Sequence, residues 1–199
     1  MKMKKVIFTL IILVLSLKSV AALEETQKYE DYLNALKTLE GEFTQISSKG
    51  QTLTGIIQIF RPGRMRLTYN PPSSLLIVAD GKWLITKDRE ADEVDYTSLE
   101  KTPAAFILRP HVRFSGDVEV TNVVPRDETT EVSLIRKEEP DAGYITLVFK
   151  DNPVALKEWS IIDSQGIETR VILSKVQTNV DLPSGLFHIK KPNLLQQIF

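Results

Sequence analysis

Few side chains in this sequence could carry out acid–base or nucleophilic chemistry. His111 and His188 are its only imidazoles, and the chain contains no cysteine. Neither Gly-x-Ser-x-Gly nor His-Glu-x-x-His occurs, and no glycine-rich phosphate loop follows a predicted strand. The acidic group Asp92, Glu93 and Asp95 lies in a predicted hairpin connection, where a solvated turn is favoured over a metal site. We therefore predict no catalytic residue, no metal site and no cofactor, and a protein that is not an enzyme.

Three arginines follow one another closely in the sequence: Arg61, Arg64 and Arg66. Because side chains alternate along a strand, Arg64 and Arg66 are predicted on one face of it, and Met65 and Leu67 on the other. A solvated outer face is the favoured interpretation of this pair. Docking onto acidic partners or lipid headgroups is the alternative. Arg61 differs, because it lies at a strand end beside a turn.

Period-two patterns divided by turn residues predict about eleven β-strands, preceded by an amphipathic helix over Glu24–Leu39 that Gly41 ends. A second, short helix is predicted at Thr102–Arg109, with Thr102 as its cap and Pro103 at its first position. The predicted fold class is α+β, with a large, strongly curved antiparallel sheet and few helices. The predicted strands are Glu42–Ser47, Gln51–Arg61, Arg64–Tyr69, Ser74–Ala79, Lys82–Lys87, Glu93–Tyr96, Val118–Val124, Glu131–Lys137, Tyr144–Lys150, Leu156–Asp163 and Glu168–Val180.

The first strands are predicted to be apolar on both faces, although strands joined by short hairpins normally alternate. Between Leu53 and Phe60, apolar residues occur in both alternate sets of positions and so on both faces of the strand. Leu75–Ala79 is apolar throughout. Something apolar must therefore cover each face. A curled sheet of about ten strands encloses more volume than its own side chains fill. Two interpretations stay open: a filled core between sheet and helices, or a lined cavity for an apolar ligand.

The first residues have the three regions of a secretory signal. Three lysines precede the apolar run Val6–Leu15, and small residues follow it. We expect residues 1–22 to be removed, leaving a single domain over residues 23–199, with an uncleaved anchor as the alternative. Loss of the signal's four lysines leaves a net charge near −5, which disfavours nucleic acid as a partner. Since no cysteine could carry a lipid anchor, we expect a soluble periplasmic monomer.

Several short motifs, taken in order, resemble one protein family. They are Phe43-Thr44-Gln45, Phe60–Arg66, Val78–Lys82, Thr102-Pro103, Trp159–Asp163 with Gly166, and Leu186–Ile189 as a closing strand before Pro192. Over nearly the whole chain, their order and spacing resemble the outer-membrane lipoprotein carrier proteins of Gram-negative bacteria, the LolA type. The resemblance implies an unclosed, strongly curved antiparallel β-barrel of about eleven strands. An N-terminal helix and a short lid helix would cover its apolar cavity.

The resemblance also implies a function and residue roles. Acyl chains of lipoproteins would be carried from an inner-membrane ABC transporter to an outer-membrane lipoprotein receptor. Arg61 falls where the family has an arginine that hydrogen-bonds the lid, and Ile107 and Leu108 fall on the lid segment that faces the cavity. Ala104 and Ala105 are smaller than the bulky residues that some members carry there. The predicted lid and cavity set is Arg61, Met65, Leu67, Trp83, Phe106, Ile107 and Leu108.

Two other functions compete with the carrier. A periplasmic lipoprotein-sensing regulatory module of similar half-barrel fold would bind lipidated proteins as a signal, but such regulators usually carry a second domain. A secreted hydrolase acting on lipid would need a nucleophile and a base that this sequence does not supply. The apolar tail Leu194–Phe199 receives no role from the sequence.

Overall fold

The computed structural model describes residues 25–189. The predicted signal segment 1–22 and the tail Leu194–Phe199 lie outside the described residues. Helix α1 covers residues 25–35, and a second α-helix, α2, covers Ala104–Leu108. Three short 3-10 helices occupy Leu99–Lys101, Pro140–Ala142 and Ser184–Phe187.

Eleven strands form in the described part of the chain, which confirms the predicted number. They are β1 Thr38–Ser47, β2 Thr52–Phe60, β3 Arg64–Tyr69, β4 Leu75–Asp80, β5 Trp83–Asp88, β6 Val94–Ser98, β7 Val118–Pro125, β8 Thr129–Arg136, β9 Gly143–Asp151, β10 Val154–Asp163 and β11 Glu168–Thr178. They belong to one antiparallel sheet in the order β6-β5-β4-β3-β2-β1-β11-β10-β9-β8-β7. The sheet is unclosed, because β6 and β7 end the order without pairing to each other in the described chain. The predicted α+β class with few helices is confirmed.

The first helix ends earlier than the sequence predicts. It ends at residue 35, so Leu39 belongs to β1, and Gly41 lies inside that strand instead of ending a helix. A Cβ at Gly41 would stand 3.0 Å from the Ser174 carbonyl oxygen, beside the register shift between Glu40 and Glu42. Glycine is therefore needed here for close approach of two strands, which a helix-stop interpretation does not detect.

The chain divides into two compact units by its internal contacts. Of the described residues, one unit holds 25–35 and 113–166, and the other holds 36–112 and 167–189. The second unit contains strands β1–β6 and β11, with α2. The first unit contains α1 and strands β7–β10. A single domain over residues 23–199 stays a prediction.

In the second unit, strand register fixes two faces of the sheet. Ile59, Met65 and Ala79 are paired neighbours on one face, which we call the Met65 face. Gln58, Arg66 and Val78 are paired neighbours on the other, the Arg66 face. In β3 the alternation is complete, because every second residue from Met65 to Tyr69 is buried and those between are half-buried. The predicted separation of Arg64 and Arg66 from Met65 and Leu67 follows directly from this pattern.

The prediction of two apolar faces is right for β4 and only partly right for β2, where Phe60 packs against Phe187 of a buried cluster but Ile56 is exposed. In β4, Val78 and Ala79 lie on opposite faces, and both are fully buried. In β2, Ile57 and Ile59 are buried, but Ile56 on the other face is 37% exposed. Hairpin-joined strand β2 therefore follows the ordinary alternation between core and solvent at this position.

Residues 180–189 cover part of the Arg66 face. Leu182 and Phe187 form a buried cluster with Leu76 and Val78 of β4. The Thr38 hydroxyl donates a hydrogen bond of 2.6 Å to the Val180 carbonyl oxygen and holds the start of this segment. The predicted closing strand at Leu186–Ile189 is wrong, since Leu186 and Phe187 end a 3-10 helix. The segment packs its side chains on the sheet instead of extending it.

In the first unit, an aspartate joins α1 to the β-strands. The Asp151 carboxylate accepts hydrogen bonds from Lys28 Nζ at 2.9 Å, from the Tyr29 hydroxyl, and from Thr130 Oγ1 at 3.0 Å. The Tyr29 ring stacks on Phe149 with 4.5 Å between centroids. The Tyr29 hydroxyl, followed by Lys28 and Thr130, lowers the pKa of Asp151 below its ordinary value. Folding therefore favours the ionised carboxylate.

We predict that Asp151→Asn destabilises the protein at neutral pH and that the difference disappears in acid. A lowered folded-state pKa contributes stability above the unfolded pKa of about 4, and this contribution is lost as pH falls through the folded value. Urea unfolding at a series of pH values, with exposed Asp127→Asn as the control, measures it. A gap between native and Asp151→Asn that is the same at neutral and at strongly acidic pH would contradict the prediction.

We also predict that Gly55→Ala destabilises the second unit by about 1–3 kcal/mol through overpacking. A Cβ at Gly55 would lie 2.3 Å from the Thr68 carbonyl oxygen and 2.7 Å from Cε1 of Phe43. Gly185→Ala is the matched control, because a Cβ there has no neighbour within 4 Å, and its effect should stay within about 0.5 kcal/mol. Urea unfolding compares the two variants, and equal effects would refute this packing account.

Candidate functional site

The turn between β2 and β3 holds the end of α2 by two hydrogen bonds. The Gly63 N–H donates to the Leu108 carbonyl oxygen at 2.8 Å, and Arg61 Nη2 donates to the Arg109 carbonyl oxygen at 2.6 Å. We call these four residues the clasp. The clasp satisfies two carbonyls at the C-terminal end of α2 that a helix leaves without partners.

Local sequence explains both halves of the clasp. Gly63 has a φ of +77°, and a Cβ there would stand 2.9 Å from Gly81 Cα, so only glycine fits the turn without strain. Pro103 precedes α2 with a φ of −60° and Pro110 follows it. The predicted cap is wrong in detail: the Thr102 hydroxyl donates to the Leu99 carbonyl oxygen of the preceding 3-10 helix at 2.7 Å.

Arg61 is a buried cation with carbonyl partners. Its residue is 8% exposed, and besides Arg109 it donates from Nη1 to the Leu36 carbonyl oxygen at 3.4 Å. Its own backbone N–H donates to the Lys37 carbonyl oxygen at 2.8 Å, which continues the β1–β2 ladder by one residue. Burial lowers the pKa of the Arg61 guanidinium. No ion pair forms at Arg61 within residues 25–189.

The apolar members of the predicted lid and cavity set are buried, with one exception. Phe106, Ile107 and Leu108 are all at most 5% exposed. Met65 and Leu67 are buried on the Met65 face.

The strand register places Trp83 on the face of the sheet opposite to Met65 and Leu67. Leu84 pairs with Ala79 and so lies on the Met65 face, which puts Trp83 on the opposite face. Trp83 is 37% exposed, and its ring meets the edge of Tyr96 at 6.5 Å between centroids. Its predicted cavity role draws no support from this placement.

Arg64 and Arg66 both contact the chain's own closing segment. The Arg64 guanidinium lies 3.8 Å over the Phe60 ring and 5.9 Å from the Phe187 ring centre. Arg66 Nη1 donates to the Leu186 carbonyl oxygen at 2.9 Å. Sequence reasoning missed this arrangement, although the apolar residues after β11 signal a segment that needs a surface to cover. Partner docking by Arg64 and Arg66 stays a prediction.

The side chains considered for catalysis and metal binding are dispersed. His111 and His188 are exposed, and His188 follows a 3-10 helix and not a strand. Asp92 forms an ion pair of 2.6 Å with Lys87. Within the described residues, no group of three or more histidine, aspartate or glutamate side chains is placed to hold a metal ion.

The sequence matches the model of one known protein family. The family model described as outer membrane lipoprotein carrier protein LolA matches residues 34–190, most of the chain and nearly all of its described part. The chain belongs to the LolA family. Its carrier description is thus the family-level function of this protein, and the predicted resemblance is confirmed.

Individual relatives agree with the family match. An outer-membrane lipoprotein carrier protein of Chromobacterium violaceum is 28% identical over 81% of each chain. One from Legionella pneumophila is 27% identical over 92% of this LolA-family chain and 94% of its own. The crystal structure of an uncharacterised conserved protein from Thermus thermophilus superposes with a TM-score of 0.52 at 11% identity, over 86% of this chain and 95% of that one. That last likeness concerns the fold alone.

Residues 25–189 contain no helix with the length and apolar character needed to cross a membrane.

We predict that Arg61→Met loosens α2. Loss of a charge-assisted hydrogen bond to the Arg109 carbonyl should raise amide exchange over residues 104–109 about tenfold or more, because the clasp then keeps only the Gly63 bond. Hydrogen exchange followed by mass spectrometry measures this. The matched control is Arg126→Met, which removes an exposed arginine paired with Glu131. Unchanged exchange in α2 of the Arg61 variant would show that the clasp does not hold the helix.

Proposed function

We propose that this LolA-family protein is a periplasmic, non-enzymatic carrier. It binds the acyl chains of lipoproteins released from the inner membrane by an ABC transporter and delivers them to an outer-membrane lipoprotein receptor, acting as a monomer. Family membership supports the carrier part of the proposal. The regulatory alternative has no comparable support, since the named carrier relatives cover at least four fifths of this chain.

The clasp is the observation that carries the mechanism. A buried apolar helix end, Phe106–Leu108, is held to the sheet turn by two clasp hydrogen bonds. The two bonds together contribute about 2–4 kcal/mol. Opening α2 also exposes the buried side chains of Phe106, Ile107 and Leu108, at about 1.5–3 kcal/mol each unless a ligand covers them. A lid of this kind keeps an empty acyl site closed and still yields it to a ligand.

The free energy needed to extract an acyl chain from a membrane decides how such a carrier must be loaded. Burial of acyl chain in a membrane stabilises it by about 0.8 kcal/mol per methylene, so extracting a long chain costs on the order of 10 kcal/mol. The opening energy of the clasp is far too small to drive extraction. A partner that couples extraction to an energy source must load this protein, and release downstream requires only that the receptor bind the chains more tightly.

The proposed acyl site consists of the clasp and apolar side chains. Met65 and Leu67 supply the sheet side, and Phe106, Ile107 and Leu108 supply the lid side. Arg61 holds the lid. Docking of a membrane-protein partner at Arg64 and Arg66 is a secondary proposal, and it requires a surface these arginines share with residues 180–189.

Release of lipoprotein from spheroplasts tests the function. Purified mature protein is added to spheroplasts that synthesise a labelled lipoprotein, and the supernatant is analysed by size-exclusion chromatography. We expect the label to leave the inner membrane in a one-to-one soluble complex with the added protein. Label that stays with the membrane, under conditions where a carrier of the same species releases it, would refute the carrier function.

We predict that Ile107→Asp abolishes complex formation in that assay while the protein still folds. A carboxylate at a position that is 5% exposed puts charge where acyl chain is proposed to lie, and an unpaired buried charge is strongly unfavourable. Ile56→Asp is the matched control, because Ile56 is 37% exposed on the Arg66 face, and it should release lipoprotein normally. Circular dichroism checks the fold, and release by folded Ile107→Asp would remove α2 from the acyl site.

A further inference from the structure

We propose that Arg61 binds an oxygen at the head of the acyl chain, in addition to holding α2. The ligand class is a hydrocarbon chain that ends in a carbonyl or carboxylate group, as in an acyl ester, an acyl amide or a fatty acid. This inference rests on the proposed acyl-carrier function and adds to it a polar recognition site.

The first observation is an unpaired donor. Arg61 Nε is buried and has no hydrogen-bond partner among the described residues. A guanidinium has five N–H groups in a fixed planar fork. Within residues 25–189, two of the five at Arg61 have acceptors, the carbonyls of Leu36 and Arg109. Buried donors in folded proteins are paired in the great majority, so this one calls for an acceptor from outside the described residues, which a ligand would supply.

Two other arginines of the same unit do find acceptors for Nε, so the lack of an acceptor is particular to Arg61. Arg66 is less buried than Arg61, yet its Nε donates to Thr68 Oγ1 at 3.2 Å and its Nη1 to the Leu186 carbonyl oxygen. Arg89, which is exposed, uses its Nε on the Ser74 carbonyl oxygen at 2.8 Å. The most buried of these three arginines is thus the one that leaves its Nε without an acceptor.

Charge points to the same class of ligand. Arg61 is 8% exposed and forms no ion pair within residues 25–189. A buried cation that meets only carbonyl dipoles gains from any further oxygen acceptor, and gains most from a carboxylate. Planar oxygen acceptors fit the edge of a guanidinium that Nε shares with one terminal nitrogen.

Arg61 lies at the end of a row of apolar side chains, an arrangement that suits a ligand with a hydrocarbon chain and a polar head. Ile57, Ile59 and Arg61 occupy alternate positions, and the ladder bond from Arg61 to Lys37 keeps this alternation at the strand end. The side chain therefore continues a row of buried apolar residues on the Met65 face and ends it with a donor. A hydrocarbon chain along that row would bring its head oxygen to the guanidinium.

Three ligands with matched hydrocarbon chains test the inference: methyl dodecanoate, sodium dodecanoate and dodecyl methyl ether. Each displaces the fluorescent dye N-phenyl-1-naphthylamine from the purified mature protein. We expect the ester and the carboxylate to bind at least about tenfold more tightly than the ether, which has no carbonyl, as one hydrogen bond to a charged donor requires. Arg61→Met should bind the ester no more tightly than the ether, and dodecanoate more weakly than either because its charge is then unpaired. Arg126→Met should keep the native preference.

The outcomes separate the two proposals and the two sources of ligand. Binding of all three ligands with equal affinity by the native protein would overturn the head-group site and leave the acyl carrier standing. No binding of any ligand would overturn both. A preference that survives in Arg61→Met would also overturn the role of Arg61. Tighter binding of the ester than of dodecanoate supports an ester-linked chain as the ligand, and the reverse supports a free fatty acid.

A second measurement observes the Arg61 side chain of the native protein directly, and a variant serves only to assign its signal. In protein labelled with ¹⁵N-arginine, the Nε–H signal of Arg61 is assigned by its absence from the spectrum of Arg61→Lys. Methyl dodecanoate should shift this proton downfield, as a new hydrogen bond does, while the ether at equal occupancy leaves it unchanged. Identical shifts with both ligands would overturn the proposal even if Arg61→Met fails to fold.

Discussion

A guanidinium buried against carbonyl oxygens joins three parts of the second unit. Arg61 reaches the Leu36 carbonyl before β1 and the Arg109 carbonyl after α2, while its own backbone extends the β1–β2 ladder. Removal of a charge from water is costly, and carbonyl dipoles offset that cost only in part. The interaction is therefore specific enough to place α2 and weak enough to be broken. The lid proposed for α2 needs both properties.

Both faces of this unit's sheet bury apolar side chains. On the Met65 face the buried residues come from strands, and on the Arg66 face residues 180–189 supply Leu182 and Phe187. Arg64 and Arg66 secure that closing segment through ring and carbonyl contacts. The Arg66 face is thus covered in part by the protein's own closing segment.

In the first unit, charged side chains likewise hold a helix against the rest of the unit. Helix α1 is held by two carboxylates: Asp151 accepts bonds from Lys28, Tyr29 and Thr130, and Glu30 of α1 itself accepts a hydrogen bond of 2.7 Å from the Phe114 N–H. The stacked rings of Tyr29 and Phe149 lie beside that polar contact. In both units, then, charged groups with several partners help to hold a helical segment in place.

The sequence by itself determined the strands, their number and the alternation in β3, because a two-residue period and turn residues are local properties of the chain. It also pointed to Arg61 and to the apolar residues of α2, through motifs whose order resembles the LolA family. Only the tertiary structure decided where α1 ends, that Trp83 lies opposite Met65, and that residues 180–189 pack on the sheet instead of joining it. Those outcomes depend on contacts between positions far apart in the chain, such as Gly41 with Ser174 and Arg66 with Leu186, which no local pattern encodes.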